Sequence, residues 1–167
     1  MKYFTRYFLN VALWLSILIL PCSSFGFQNE PDNFRGIKWG TNINELSDMY
    51  FVESQDKFKI YKRKNDKMKI ASAEIDNISY FFYKKRFFTI FIQFKGLSNF
   101  QHLKSTLFQL YGPPNYVDSV WHGTSVGVIL EYYETLKKGA ITYTYTPIAL
   151  EYGKDEEEAA KKGVDDL

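Results

Sequence analysis

The chain has one cysteine, two histidines and five prolines in 167 residues, with a net charge of only +2. Each shortage excludes a class of chemistry. The lone cysteine, Cys22, permits no internal disulfide, so no disulfide framework holds the fold. His102 and His122, with no Cys or clustered Asp/Glu at ligand spacing, form no metal-binding pattern, so neither metal nor cofactor is expected. No G-x-S-x-G elbow is present, nor an S-x-x-K with its partner motifs, so no catalytic residue is assigned. Ser119, Thr124 and Ser125 near His122 read as polar residues of a strand-end turn. Glu74, Asp76, Glu131 and Glu134 read as ordinary strand acids. Long apolar runs are also missing. The longest, the mostly apolar Leu9–Leu20, has twelve residues, short of the roughly 20 that span a bilayer as a helix.

That run belongs to a leader. Lys2 and Arg6 precede it without an acid, Pro21 ends it, and the small residues Ser23, Ser24 and Gly26 follow. The order of charged, apolar and small-residue segments is that of a secretory signal peptide over residues 1–26, cleaved after Gly26 or alternatively after Ser24. Pro21 stands where a lipoprotein signal places a small residue before its acylated Cys, and so fits lipidation at Cys22 poorly. The expected location is periplasmic or secreted. The membrane would be met only during export, unless the N-terminus is retained or Cys22 is lipidated.

Removing Lys2 and Arg6 leaves 19 basic against 19 acidic residues over residues 27–167. Seven acids and three lysines lie from Glu151 onward, so the body from Phe27 to Leu150 is mildly basic. This is far from the strongly basic signature of nucleic-acid binding. The expected organisation is one α+β domain over residues 27–150, followed by an acidic, poorly ordered or frayed helical tail over 151–167, since DEEEAAKK offers no apolar face.

Aromatics are what the chain has in abundance, with 15 Phe and 13 Tyr. They concentrate in Ile78–Phe94, two aromatic runs around Lys84-Lys85-Arg86 that read as a β-hairpin. Pairing Phe82 with Phe87 sets Tyr80 opposite Thr89 and Ile78 opposite Phe91. One face then carries Phe88, Ile90, Ile92 and Phe94 as the core row. Tyr80, Phe82, Phe87 and Phe91 fall on the second face, a binding surface if no other element covers it. Lys84 and Lys85 suit a type I′ turn poorly, so a four-residue loop is as consistent with the pairing as a two-residue one.

Around the hairpin, the spacing predicts a short helix over 43–50 behind Asn42 and Glu45, and a second behind Ser98 and Gln101 with Phe100, Leu103, Leu107 and Leu110 on its apolar stripe. Gly112 and Pro113-Pro114 end that helix. Strands are predicted over 58–63, 68–75, 116–121, 126–133 and 140–145. The expected fold is an antiparallel sheet of about six to eight strands with two helices packed on one face. The match of Phe34-Arg35-Gly36-Ile37 to Phe94-Lys95-Gly96-Leu97 would make two α-β-meander halves, 34–95 and 96–150.

Seven cations lie in Lys57–Lys69 against Asp66 alone. With Lys84, Lys85 and Arg86 they could gather at one end of the sheet, where Lys62, Arg63 and Lys64 would attract anionic lipid headgroups or glycan phosphates. Solvated edge lysines that discourage aggregation are the simpler reading.

Phe34–Thr41 (FRGIKWGT) before a short helix, and Leu110–Pro114 (LYGPP) ending a second one before a Trp-bearing strand, resemble small exported bacterial proteins of uncharacterised function. They are also similar to the helix-then-meander modules of BamE/SmpA-like lipoproteins and β-lactamase-inhibitor-like proteins. The resemblance implies protein binding and brings no catalytic residue. The expectation is a non-enzymatic exported binding or accessory protein of the cell envelope, with another envelope protein as partner. The alternatives are a carrier or sensor of an apolar or anionic envelope ligand, or a hydrolase-like enzyme. The leader makes a direct prediction: the exported chain begins at Phe27, or at Phe25 by the alternative cleavage. N-terminal sequencing that returns Met1 would contradict it.

Overall fold

The computed structural model describes residues 27–116 and 119–165, so the predicted leader lies outside the described residues. Its framework is a seven-stranded, wholly antiparallel sheet. The strands are β3 (Met49–Gln55), β4 (Phe58–Arg63), β7 (Asn77–Tyr83), β8 (Arg86–Lys95), β9 (Val120–His122), β10 (Val126–Tyr133) and β11 (Lys138–Tyr145), in the order β3-β4-β7-β8-β11-β10-β9. Two short hairpins lie outside it, β1 (Asn33–Phe34) with β2 (Ile37–Lys38), and β5 (Lys69–Ile70) with β6 (Ala73–Glu74). Helix α1 is Leu97–Tyr111 and α2 is Thr146–Asp165. The chain is thus an α+β fold. Among the described residues no helix is long and apolar enough to cross a membrane.

The hairpin β7–β8 occupies the middle of the sheet, but its pairing slips once. Phe81 lies opposite Thr89 and Phe82 opposite Phe87, so Phe88 is the extra residue of a β-bulge. Below the bulge Tyr80 faces Ile90 and Ile78 faces Ile92, one residue from the register that unbroken alternation predicts. The bulge re-sorts the two faces. Tyr80, Phe82 and Phe87 join Ile90, Ile92 and Phe94 in the main core, all at most 1% exposed, while Phe88 turns to the opposite face with Tyr83 and Phe81. The expected surface of Tyr80, Phe82, Phe87 and Phe91 is therefore corrected. The first three are core, and Phe91 alone is half-buried on the other face.

Helix α1 covers the main core through Leu103, Leu107 and Tyr111. Full burial of each leucine contributes about 2 kcal/mol. Tyr111 replaces the expected Leu110, which is 48% exposed; positions 100, 103, 107 and 111 form the tighter stripe. The segment 27–46 covers the rest of this face. Trp39 stacks on Phe87 with ring centroids 4.9 Å apart and donates its indole N–H to Pro31 O at 2.8 Å. Glu30 accepts the backbone N–H groups of Thr124, Ser125 and Val126. Behind them Tyr80 donates to Asp66 at 2.7 Å, and Arg35 also holds Asp66. Burial, then the bond to Asp66, raises the Tyr80 hydroxyl above its ordinary pKa.

Three other predicted elements are corrected. In place of a helix over 43–50 there is a single 3-10 turn, Ile43–Glu45, because the Ile43 N–H goes to Lys85 O and residues 49–55 pair with β4. The strand predicted over 68–75 folds back on itself as β5–β6, whose Ala73 N-terminal to Ile75 plugs the core beside α1. Most consequential is α2. It starts at Thr146, with Pro147 in its first turn, and Ile148 buries against Tyr83 and Phe88 with Tyr152 beside it. The segment expected as a poorly ordered or frayed helical tail forms all but the first five residues of a helix packed on the sheet, and the two α-helices cover opposite faces.

Gly139 on β11 makes room for the Phe94 ring, and a Cβ there would sit 2.5 Å from Glu131 O. Gly139→Ala should lower stability by about 1–3 kcal/mol through overpacking. Gly127→Ala on neighbouring β10, where nothing lies within 4 Å, should change it by less than about 0.5 kcal/mol. Urea unfolding of the two variants checks the contrast.

Candidate functional site

Two hairpin tips lie side by side at one end of the sheet. The β3–β4 loop is Asp56-Lys57 and the β7–β8 loop is Lys84-Lys85, with Phe58 of β4 opposite Tyr83 of β7. Lys84 and Lys85 take φ of 47° and 68°, the two left-handed positions of a tight turn that Asn-Gly would fill with less strain. The 3-10 turn closes over them through the Ile43 N–H to Lys85 O bond of 2.9 Å.

Between these pieces lies a cavity of about 280 Å³ lined by Ile43, Asn44, Tyr61, Phe82 and the lysines 57, 59, 84 and 85. Its walls follow from strand periodicity. Lys59 lies opposite Phe82 and Tyr61 opposite Tyr80 on the face that carries the main core, so lysine heads line the rim and rings line the floor.

The other side of the tips belongs to α2. Lys57 reaches Glu156 at 2.6 Å, Lys84 reaches Asp155 at 2.5 Å and Glu151 at 3.1 Å, and Arg86 reaches Glu151 at 2.5 Å. Tyr83 donates its hydroxyl to Asp155. Hydrogen bonds from Lys84 to Asp155 and from Arg86 to Glu151 hold both carboxyls below their usual range. Beneath these pairs Phe58, Phe88 and Tyr152 form an aromatic layer with centroids 5.8–6.4 Å apart.

The basic residues do not gather at one end. Lys84 and Lys85 join Phe82 at the cavity, and Arg86 turns to α2. Lys62, Arg63 and Lys64 lie at or just beyond the far end of β4, about 20 Å away at 3.3 Å per residue. Arg63 is held there by Asp48 at 2.5 Å and, with Lys62, lines a separate cavity of about 310 Å³ that also contains Asp66 and Asp76. Of the seven cations in Lys57–Lys69, Lys57 and Lys59 lie with Lys84 and Lys85 at the cavity, and Tyr61, two residues on, is a lining residue that the sequence reading did not single out. Treating Lys57–Lys69 as one charge run hid the fact that its two ends serve different places.

His102 and His122 are exposed, and His122 stands on the edge strand β9. The Ser125 N–H is taken by Glu30. Among the described residues no group of three or more His, Cys, Asp or Glu side chains could hold a metal ion. No protein-family model, curated protein or solved structure matches the chain. The likeness to helix-then-meander modules rests on the quoted residues alone.

The depressed carboxyls of Glu151 and Asp155 stabilise α2 docking fully above the unfolded carboxylate range, about pH 4, and this contribution is lost as pH falls through the lower folded values. Hydrogen-exchange protection of α2 should therefore drop below about pH 4 while that of β8 persists. Glu151→Gln with Asp155→Asn should remove the pH dependence. Protection that is unchanged by pH in the parent chain would contradict the role of the ion pairs.

Proposed function

We propose that the chain is a non-enzymatic, exported binding protein of the cell envelope, and that it takes its protein partner as an added strand along β3. The supporting observation is the character of that edge. Tyr50, Phe51 and Val52 are consecutive on the outermost strand and are 46%, 53% and 42% exposed. An edge strand offers a row of unpaired backbone N–H and C=O groups, and proteins usually guard it with charge, proline or a cover. Here Glu53 is the only charged residue in β3, and a bulge between Phe51 and Glu53 is its one irregularity. Backbone pairing would supply affinity, and the exposed rings would read alternate side chains of the partner.

A non-enzymatic role fits the state of three of the four acids that line the described cavities. Asp66 is held by Arg35 and Tyr80, Glu30 by three backbone N–H groups, and Asp76 by Lys95 at 3.1 Å. Each is committed to structure, and among the described residues the linings of these three cavities include no histidine.

A photo-crosslinking residue at position 54 in envelope extracts should yield one discrete heterologous product. Val52→Pro, which blocks strand addition, should abolish it without unfolding the chain. Recovery of the chain alone, or crosslinked only to itself, would overturn the reading.

A further inference from the structure

The cavity between the hairpin tips differs in charge from the others described. The cavity beside Trp39 contains Glu30 and Asp32, the one beside Arg63 contains Asp66 and Asp76, and the one beside Gly139 contains Asp76. The tip cavity has four lysines and no carboxylate in its lining. Lys57 and Lys84 share their charge with α2, but among the described residues Lys59 and Lys85 make no ion pair. Counting Arg86, five cations at the tips face the three α2 carboxylates Glu151, Asp155 and Glu156 and the loop's own Asp56, so the excess positive charge lies on the cavity side, whose lining has no carboxylate.

The turn adds a second observation. Lys84 and Lys85 both sit at positive φ, where a lysine is strained and Asn or Gly is not. The ion pairs of Lys84 with α2 account for that residue. Among the described residues the Lys85 ammonium makes no ion pair or side-chain hydrogen bond, while its backbone oxygen accepts the Ile43 N–H. Of the nine non-glycine residues at positive φ among the described residues, Lys84 and Lys85 are the only two in succession, so the turn presents both lysines at the cavity at a cost in backbone strain.

We propose that this cavity binds the phosphate group of an ester with a small apolar body. Lysine ammoniums act as point charges that suit a compact multivalent anion, and four around one space match a phosphate dianion better than a single carboxylate. Asn44 at the rim offers an amide donor, and Ile43 with Tyr61 gives the ester's apolar part a half-buried floor. The site is separate from the β3 edge and does not depend on it. The phosphate could come from a soluble ester or from a lipid headgroup, and the two sources are separable.

The test uses the mature chain and two probes. Phenyl phosphate is titrated by calorimetry and amide NMR, and vesicles of phosphatidylglycerol are compared with vesicles of phosphatidylcholine. Lys59→Gln with Lys85→Asn removes the two unpaired charges, and Asn relieves the turn, so the fold is expected to survive. That variant should lose roughly tenfold or more in affinity. Lys62→Gln with Lys64→Gln, at the far end of β4, should leave binding unchanged. Saturable phenyl phosphate binding with shifts at residues 43–44, 59 and 84–85 identifies a soluble ester. Binding confined to phosphatidylglycerol vesicles and lost in the first variant identifies a headgroup. No binding of either probe, or equal loss in both variants, overturns the proposal.

Discussion

Between Phe81 and Phe82 the pairing of β7 with β8 slips by one, and Phe88 is left without a partner. Everything on the two faces of the sheet follows from that slip. Without it Phe87 and Ile90 could not share a face. With it Phe87 meets Trp39 and completes the core beneath the N-terminal segment, while Phe88 provides the floor on which α2 docks. A sheet with one well-covered face thereby gains a second, smaller core, and the hairpin's aromatics are divided between two coverings rather than stacked against one.

The same slip fixes the electrostatics. Docking α2 over Phe88 and Tyr83 brings Glu151, Asp155 and Glu156 to the basic tips, and the acidic C-terminal stretch neutralises part of the lysine cluster from one side. These pairs are solvent-exposed and individually weak. Ile148 and Tyr152 anchor the helix, and the carboxylates select which lysines stay available. Lys59 and Lys85, on the cavity side, are the ones left over.

Long, strongly periodic stretches were legible in the sequence. The α+β class, the antiparallel sheet, the strand at 126–133 with both its ends and the Gly112 stop of α1 all follow from apolar period and turn chemistry. The failures are tertiary in origin. Asn42 does cap, through Asn44 N–H, but one turn of helix is all that survives once β4 claims residues 49–55. A bulge has no signature in alternating aromatics, because Phe87 and Phe88 are equally apolar. The docking of α2 was hidden because its anchors, Ile148 and Tyr152, straddle the boundary drawn at 150 and Pro147 reads as a stop. In the candidate site the residue types were visible, but their sorting was not. Charge runs carry no information about which end of a strand meets which turn.

The most direct measurement is the set of ring NOEs from Phe87 and Phe88 in an aromatic-labelled sample. The structure requires Phe88 to contact Ile148 and the Tyr83–Phe58 side, and Phe87 to contact Trp39 and Phe82. NOEs from Phe88 to Leu103 or Leu107 of α1, with Phe87 on the α2 side, would restore unbroken alternation and contradict the bulge.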